Sequence, residues 1–170
     1  METIGGTPLR GASVFNGPVE FGIRSALILV AAYPHALDLQ RLLVLDYVIV
    51  HSGDIVDGPE SLHAPSPMRA GEISIRRGLV EQGLQLLASR GLVRRTFEGE
   101  GILYQAEDLA NVYVTSMRGS YFEALQVRAL WAVALTGAMK NEDINRLLQQ
   151  STTAWKSEFV DLEDAQDPAQ

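Results

Sequence analysis

The stretch ISIRRGLVEQGLQLLASRGLVRRTFEGEGILYQA, residues 73–106, decides the fold. Its first half places Ile73, Val80, Leu84 and Leu87 on one helical stripe, widened by Leu79 and Leu86, which predicts a helix from 73 to 90. Gly91 is a natural residue to follow the end of that helix, because glycine adopts the left-handed conformation without steric strain. Two β-prone runs, 92–97 and 102–106, then flank Glu98-Gly99-Glu100-Gly101. A glycine-containing four-residue loop between two such runs reads as a β-hairpin.

Working outward, Phe21, Ile23, Leu27, Ile28, Val30 and Ala31 suit a largely buried helix over 19–33, stopped by Pro34. Asp38 is a candidate N-cap for a second helix, 39–51, with Leu42, Leu45, Val48 and Ile49 inward. That helix is apolar almost all round, so both of its faces are expected to pack. Beyond the hairpin, Glu107 or Asp108 opens a helix ending near Gly119. Ser120 and Glu123 have capping-box spacing and start a long helix to about Met139, with Phe122, Leu125, Ala129 and Ala132 along one face. Asn141, Glu142 and Asp143 open a final short helix carrying Ile144, Leu147 and Leu148. Three helices, a hairpin and further helices give a mainly α fold with a small β-hairpin. The expected architecture is a winged-helix (winged helix-turn-helix) domain with additional C-terminal helices over 18–150. A glycine-rich arm, 1–17, precedes it and an acidic tail, 151–170, follows. Between the second and third helices lies a 17-residue segment, 53–69, with three prolines and no helical period. Irregular segments of that length in a compact domain are usually functional or disordered.

Composition narrows the class. The 170 residues hold 21 acidic and 14 basic side chains, a net charge of −7, and 46% are hydrophobic, which is globular rather than disordered. The absence of cysteine excludes a disulfide scaffold, a thiolate zinc site and a cysteine nucleophile. The longest apolar run, from Ser25 to Tyr33, is far short of a membrane span, and nothing at the start reads as a secretory signal, so a cytoplasmic location is expected. The charge is segregated. Arg69, Arg76, Arg77, Arg90, Arg94 and Arg95 face only Glu72 and Glu81 over 69–95, a local +4, whereas the last 20 residues carry five acids and one lysine, a local −4.

Arg76 and Arg77 early on the third helix, with Arg94 and Arg95 on the wing, are therefore candidate DNA contacts. Arg94 and Arg95 point to opposite sides of a strand, so at most one shares a face with the helix pair. His35, His51 and His63 are spaced 16 and 12 residues apart and match no zinc pattern. His51 with Asp54 has the composition of a catalytic pair, but no serine stands in a nucleophile-elbow sequence, and a histidine at a helix C-terminus, facing the negative end of the dipole, explains it more simply. Gly99-Glu100-Gly101 is flanked by acids and would repel a phosphate. The chain is thus expected not to be an enzyme, with no metal, cofactor or small-molecule substrate. In the tail, Trp155, Phe159 and Leu162 fall on one face of a short helix, suited either to a partner's groove or to packing back on the domain.

These residues resemble a family, the middle component (second type) of bacterial ABC-ATPase three-component systems, conflict systems related to the Lamassu antiphage group. The resemblance runs from Phe15 to about Leu148. It is carried by Phe15-Asn16, Pro18, Glu20, Gly22 and Arg24, then by Leu37-Asp38-Leu39, Leu45-Asp46-Tyr47 and His51-Ser52-Gly53-Asp54. Gly58-Pro59, Ser61-Leu62-His63, Pro67, Arg69, Glu72 and Arg76-Arg77 follow, and Gly83-Leu84, Gly91-Leu92-Val93, Gly101, Tyr104, Arg128-Ala129 and Trp131 complete it. The resemblance implies a non-catalytic adaptor between an SMC-like ABC ATPase and an effector, often a nuclease. It also gives the segment 53–69 a purpose as a docking surface, with Asp54, His63, Arg69 and Glu72 as contact residues. A winged-helix DNA-binding transcriptional regulator is the alternative.

Overall fold

The computed structural model describes residues 17–64, 72–99 and 101–151. The arm, the tail with Trp155, Phe159 and Leu162, and Arg69 lie outside the described residues. The elements run α1 (Pro18–Ala32), β1 (Leu37–Asp38), α2 (Leu39–Val50), a 3-10 turn (Ser52–Asp54), α3 (Glu72–Ser89), β2 (Val93–Glu98), β3 (Gly101–Ala106), α4 (Asp108–Ser116), α5 (Ser120–Thr136) and α6 (Asn141–Ser151). The fold is mainly helical with one small antiparallel sheet. No helix among the described residues is long and apolar enough to cross a membrane.

Helix α1 is the hub. It packs on α2, α3, α4, α5 and β3, which is why its sequence is apolar on almost every side. Ala26, Leu27, Ile28 and Leu29 are all buried. Helix α2 is packed by α1, α3, α5 and α6, so its all-round apolar pattern also has a physical cause. Its N-cap is Asp38, whose carboxylate accepts the Arg41 backbone N–H at 2.7 Å. Helix α3 closes as expected, with Gly91 at φ +69° and the Leu92 N–H returning to Leu87 O at 3.0 Å.

The hairpin forms with a tighter turn than the four-residue loop expected, because Glu98 and Gly101 pair with each other and leave only residues 99 and 100 between the strands. A third strand was not anticipated: β1 joins β3 through Leu37↔Tyr104 and Asp38↔Leu103, giving the order β1-β3-β2. Two residues are too short a run to carry an alternating signal. The capping box at Ser120 does not form, since the N-cap is Gly119 and no side chain caps the helix. Gly119, at φ +116°, shifts the helix start by one residue, so Ser120 already lies inside the first turn. Helix α5 also stops at Thr136 rather than Met139, and the backbone carbonyls of Thr136 and Met139 accept instead from the Arg41 guanidinium.

The most extensive helix contact, α1 on α3, crosses at a glycine pair. A Cβ built on Gly83 would stand 2.6 Å from Gly22 N and 2.7 Å from Pro18 O. Both are backbone atoms that cannot rotate away, so the axes approach only because position 83 has no side chain. Gly78, on the same helix, has open space around it. Gly83→Ala is therefore expected to destabilise the fold by roughly 1–3 kcal/mol through overpacking. Gly78→Ala should stabilise it by up to about 1 kcal/mol through helix propensity. Urea midpoints at constant m-value measure both, and equal shifts for the two would contradict the crossing.

Candidate functional site

Two charged residues that helical periodicity left unexplained sit at the centre of the molecule. Arg24 is 1% exposed in the middle of α1, and Asp46 is fully buried in the middle of α2. Their contact is bidentate, with Nε to Oδ1 at 2.6 Å and Nη2 to Oδ2 at 3.1 Å. Arg24 also donates from Nη1 to Glu20 Oε1 at 3.0 Å, one turn earlier on α1. A second arginine, Arg76 of α3, reaches Asp46 Oδ2 at 2.9 Å. The cluster thus joins α1, α2 and α3 and balances two cations against two anions. Its apolar wall is Phe21, with the Arg24 guanidinium 4.2 Å above the ring.

A chain of aromatic and imidazole rings leads from this cluster to the segment after α2. The Tyr121 hydroxyl, at the start of α5, donates to Glu20 Oε1 at 3.2 Å. His63 Nε2 lies 2.8 Å from the same hydroxyl, within hydrogen-bond distance. The His63 ring stands edge-on to His51, which is tilted against Tyr47 at 4.6 Å between centroids. The Tyr47 hydroxyl in turn donates to Asp54 at 2.6 Å. Burial dominates the electrostatics. It pushes the Tyr121 phenol up to about 12, with the Glu20 charge adding to the effect. It raises the Glu20 carboxyl although Arg24 opposes it, and Glu20 Oε2 is buried with no partner among the described residues. It lowers both His51 and His63. His51 does occupy the C-terminal cap of α2, but it is buried and held towards its neutral form, so the expected favourable cation at the helix dipole is not how it acts.

The segment 53–64 is pinned to this core. The amides of Leu62 and His63 both donate to Val50 O, at 2.9 and 3.0 Å. Ser52 Oγ donates to Glu60 O at 3.1 Å, the Gly53 amide to Ser61 Oγ at 3.0 Å, and Arg128 of α5 grips Glu60 O through Nε and Nη2 at 3.0 and 2.6 Å. The outward side chains include Val56, 78% exposed, with Asp57 and Glu60.

The candidate residues from the sequence separate accordingly. Asp54 and His63 are half-buried and hold the segment in shape, while Glu72 opens α3. Arg76 faces inward and pairs with Asp46. Arg77 is exposed and paired with Glu81 at 3.3 Å, Arg94 is exposed and bound to Gln105 and Glu107, and Arg95 is exposed. Arg24, Asp46 and Tyr121 were missed as a unit. The available signal was a charge inside each of two helices with no polar face, since such a residue has to be paired.

Fold and site together define a mainly helical protein whose core is organised around an internal ion cluster and which presents a fixed surface segment beside it. The chain belongs to the ABC-three component (ABC-3C) system Middle Component 2 family, whose family model matches residues 14–158. By that family it is a component of a multi-component ABC-ATPase system. No curated protein and no solved structure matches the chain.

Removing one member of a buried pair leaves an uncompensated charge, so Asp46→Ala is expected to lose roughly 3–5 kcal/mol of stability, read by chemical denaturation. The histidines give a pH signature. Their folded pKa values lie below the ordinary 6.5, so the unfolded chain binds protons that the folded chain refuses. The stability they contribute is present above 6.5 and is lost as pH falls from there through the folded values. Glu20, raised from 4.5, acts in the opposite sense: its contribution is full below 4.5 and is lost as pH rises through its folded value. The melting temperature should therefore drop between pH about 7.5 and about 5.5, and His63→Gln should flatten that slope. An unchanged slope in the variant would contradict the assignment.

Proposed function

We propose that this chain is a non-catalytic, cytoplasmic adaptor that bridges an SMC-like ABC ATPase and an effector, restraining or positioning the effector in a Lamassu-related antiphage system. Family membership supports the ATPase partner. The observation that carries the adaptor reading is the pinned segment 53–64. Backbone and side-chain hydrogen bonds fix its path, and they leave Val56, Asp57 and Glu60 outward, so little ordering entropy remains to oppose docking.

We read the core as a winged helix, with α3 before the hairpin and β2–β3 as the wing. The element order α1-β1-α2-α3-β2-β3 and the strand order β1-β3-β2 support that reading. The alternative, a DNA-binding transcriptional regulator, loses one of its principal contacts, because the Arg76 guanidinium is directed at the buried Asp46. Arg77 and Arg95 remain outward and suit an auxiliary contact to DNA held by the ATPase.

Co-expression with an ABC ATPase and an effector of such a system tests the proposal. The three chains are expected to copurify at physiological salt, and Val56→Asp is expected to abolish that copurification without lowering the melting temperature of the isolated chain. Elution of the wild-type chain alone, or undiminished copurification of the variant, would contradict the adaptor reading by this surface.

A further inference from the structure

The sheet ends on β2. Strand β3 lies in the middle, so one edge of β2 is paired and the other is open. The Glu107 amide donates to Leu92 O at 2.9 Å, which fixes the alternation of the ladder. Even-numbered residues of β2 direct their backbone groups at β3, and Val93, Arg95 and Phe97 direct theirs outward. Among the described residues, no backbone hydrogen bond outside the β2–β3 ladder uses those outward groups. Around them Arg94, Arg95, Phe97 and Glu98 are all exposed, Phe97 to 79%. An open edge is a template for another strand, and natural proteins usually block it with charge. Here the charges are ordered differently. Read in opposite directions, Arg94-Arg95-Thr96-Phe97-Glu98 complements itself.

We propose that the outer edge of β2 is a self-association surface, pairing antiparallel about a two-fold axis with β2 of a second copy of this chain, with Thr96 facing Thr96. Backbone and charge select that register. Outward groups meet outward groups only when the two-fold passes through a residue position rather than between two residues. Of the centred registers that preserve most of the strand, one through Arg95 sets Arg95 against Arg95. The register through Thr96 instead sets Arg94 opposite Glu98 and Arg95 opposite Phe97, each twice by symmetry. Arg95 and Phe97 then form the hydrogen-bonded pairs, exchanging both backbone bonds. Their side chains share a face as a cation over an aromatic ring, while Arg94 and Glu98 form cross-strand ion pairs on the other face. The Arg94 guanidinium has five donors, and its contacts to Gln105 and Glu107 leave it able to take a further carboxylate. The two three-stranded sheets become one continuous sheet, and the exposed ring of Phe97 gains a cover.

The test is the mass of the full-length chain by light scattering and sedimentation as concentration is raised. The wild type is expected to move from 18.6 kDa towards twice that mass. Glu98→Arg sets like charges opposite one another at both symmetric positions and should weaken the dimer at least roughly tenfold. Arg94→Glu should do the same, and the double variant R94E/E98R, which exchanges the two partners, should restore association. Circular dichroism of these exposed-site variants reports whether the hairpin is intact. A single-chain mass over the whole soluble range would overturn the proposal. So would a dimer indifferent to either charge reversal, which places the interface elsewhere, or a double variant that stays monomeric while its fold is intact. An open edge that pairs instead with a strand of the ATPase or effector gives the first of these outcomes.

Discussion

The rest of the structure depends on the bidentate contact between Arg24 and Asp46. Each side chain comes from the middle of a helix that is apolar over most of its length, and both are buried out of reach of water. Two buried charges in that setting are tolerable only as partners with well-formed hydrogen bonds, and this requirement fixes α1 against α2 in both rotation and register. Arg76 then locks α3 onto the same carboxylate, and the Gly22–Gly83 crossing lets α3 come close enough to reach it. A purely apolar three-helix core could slide by a turn with modest loss. This one cannot do so without stranding a charge.

The cluster has a second consequence at the surface. Glu20 receives Arg24 on one side and the Tyr121 hydroxyl on the other, so α5 is oriented by the same ions. Tyr121 holds His63, and Arg128, two turns further along α5, holds Glu60. The outward segment is thus held at residues 60 and 63 by a helix that the core itself places. Burial that keeps His51 and His63 towards the neutral form is part of this arrangement, because a proton on either ring would add a third cation beside Arg24 and Arg76. The composition of residues 53–64, with three acids and no helical period, looks irregular, but their path is set by the interior.

Much of the fold was legible because local rules and packing agree. The Asp38 cap, the Gly91 stop and the two β-prone runs around residues 98–101 each act within a few residues, and each stands where the sequence puts it. What was not legible involves partners distant along the chain. Strand β1 exists only because β3, more than sixty residues later, offers it an edge. Ser120 and Glu123 have the spacing of a capping box, yet Gly119 takes the cap. The site shows the same division. Arg76 reads as an exposed cation from its neighbours Arg77 and Gly78, and only the arrival of Asp46 from thirty residues away turns it inward. Glu20, Arg24, Asp46, Tyr47, His51, His63 and Arg76 all belong to the stretches that carry the family resemblance, and in space they form one cluster around a shared set of charges.

The central claim is that a buried ion cluster presents the segment after α2 as a fixed surface. Hydrogen exchange of the free, full-length chain tests it most directly, at the amides of Leu62 and His63, which both donate to Val50 O. The account predicts that these amides exchange with protection comparable to the interior of α2, and that they open together with it. Exchange of both at the rate of an unstructured peptide, while α2 stays protected, would contradict it.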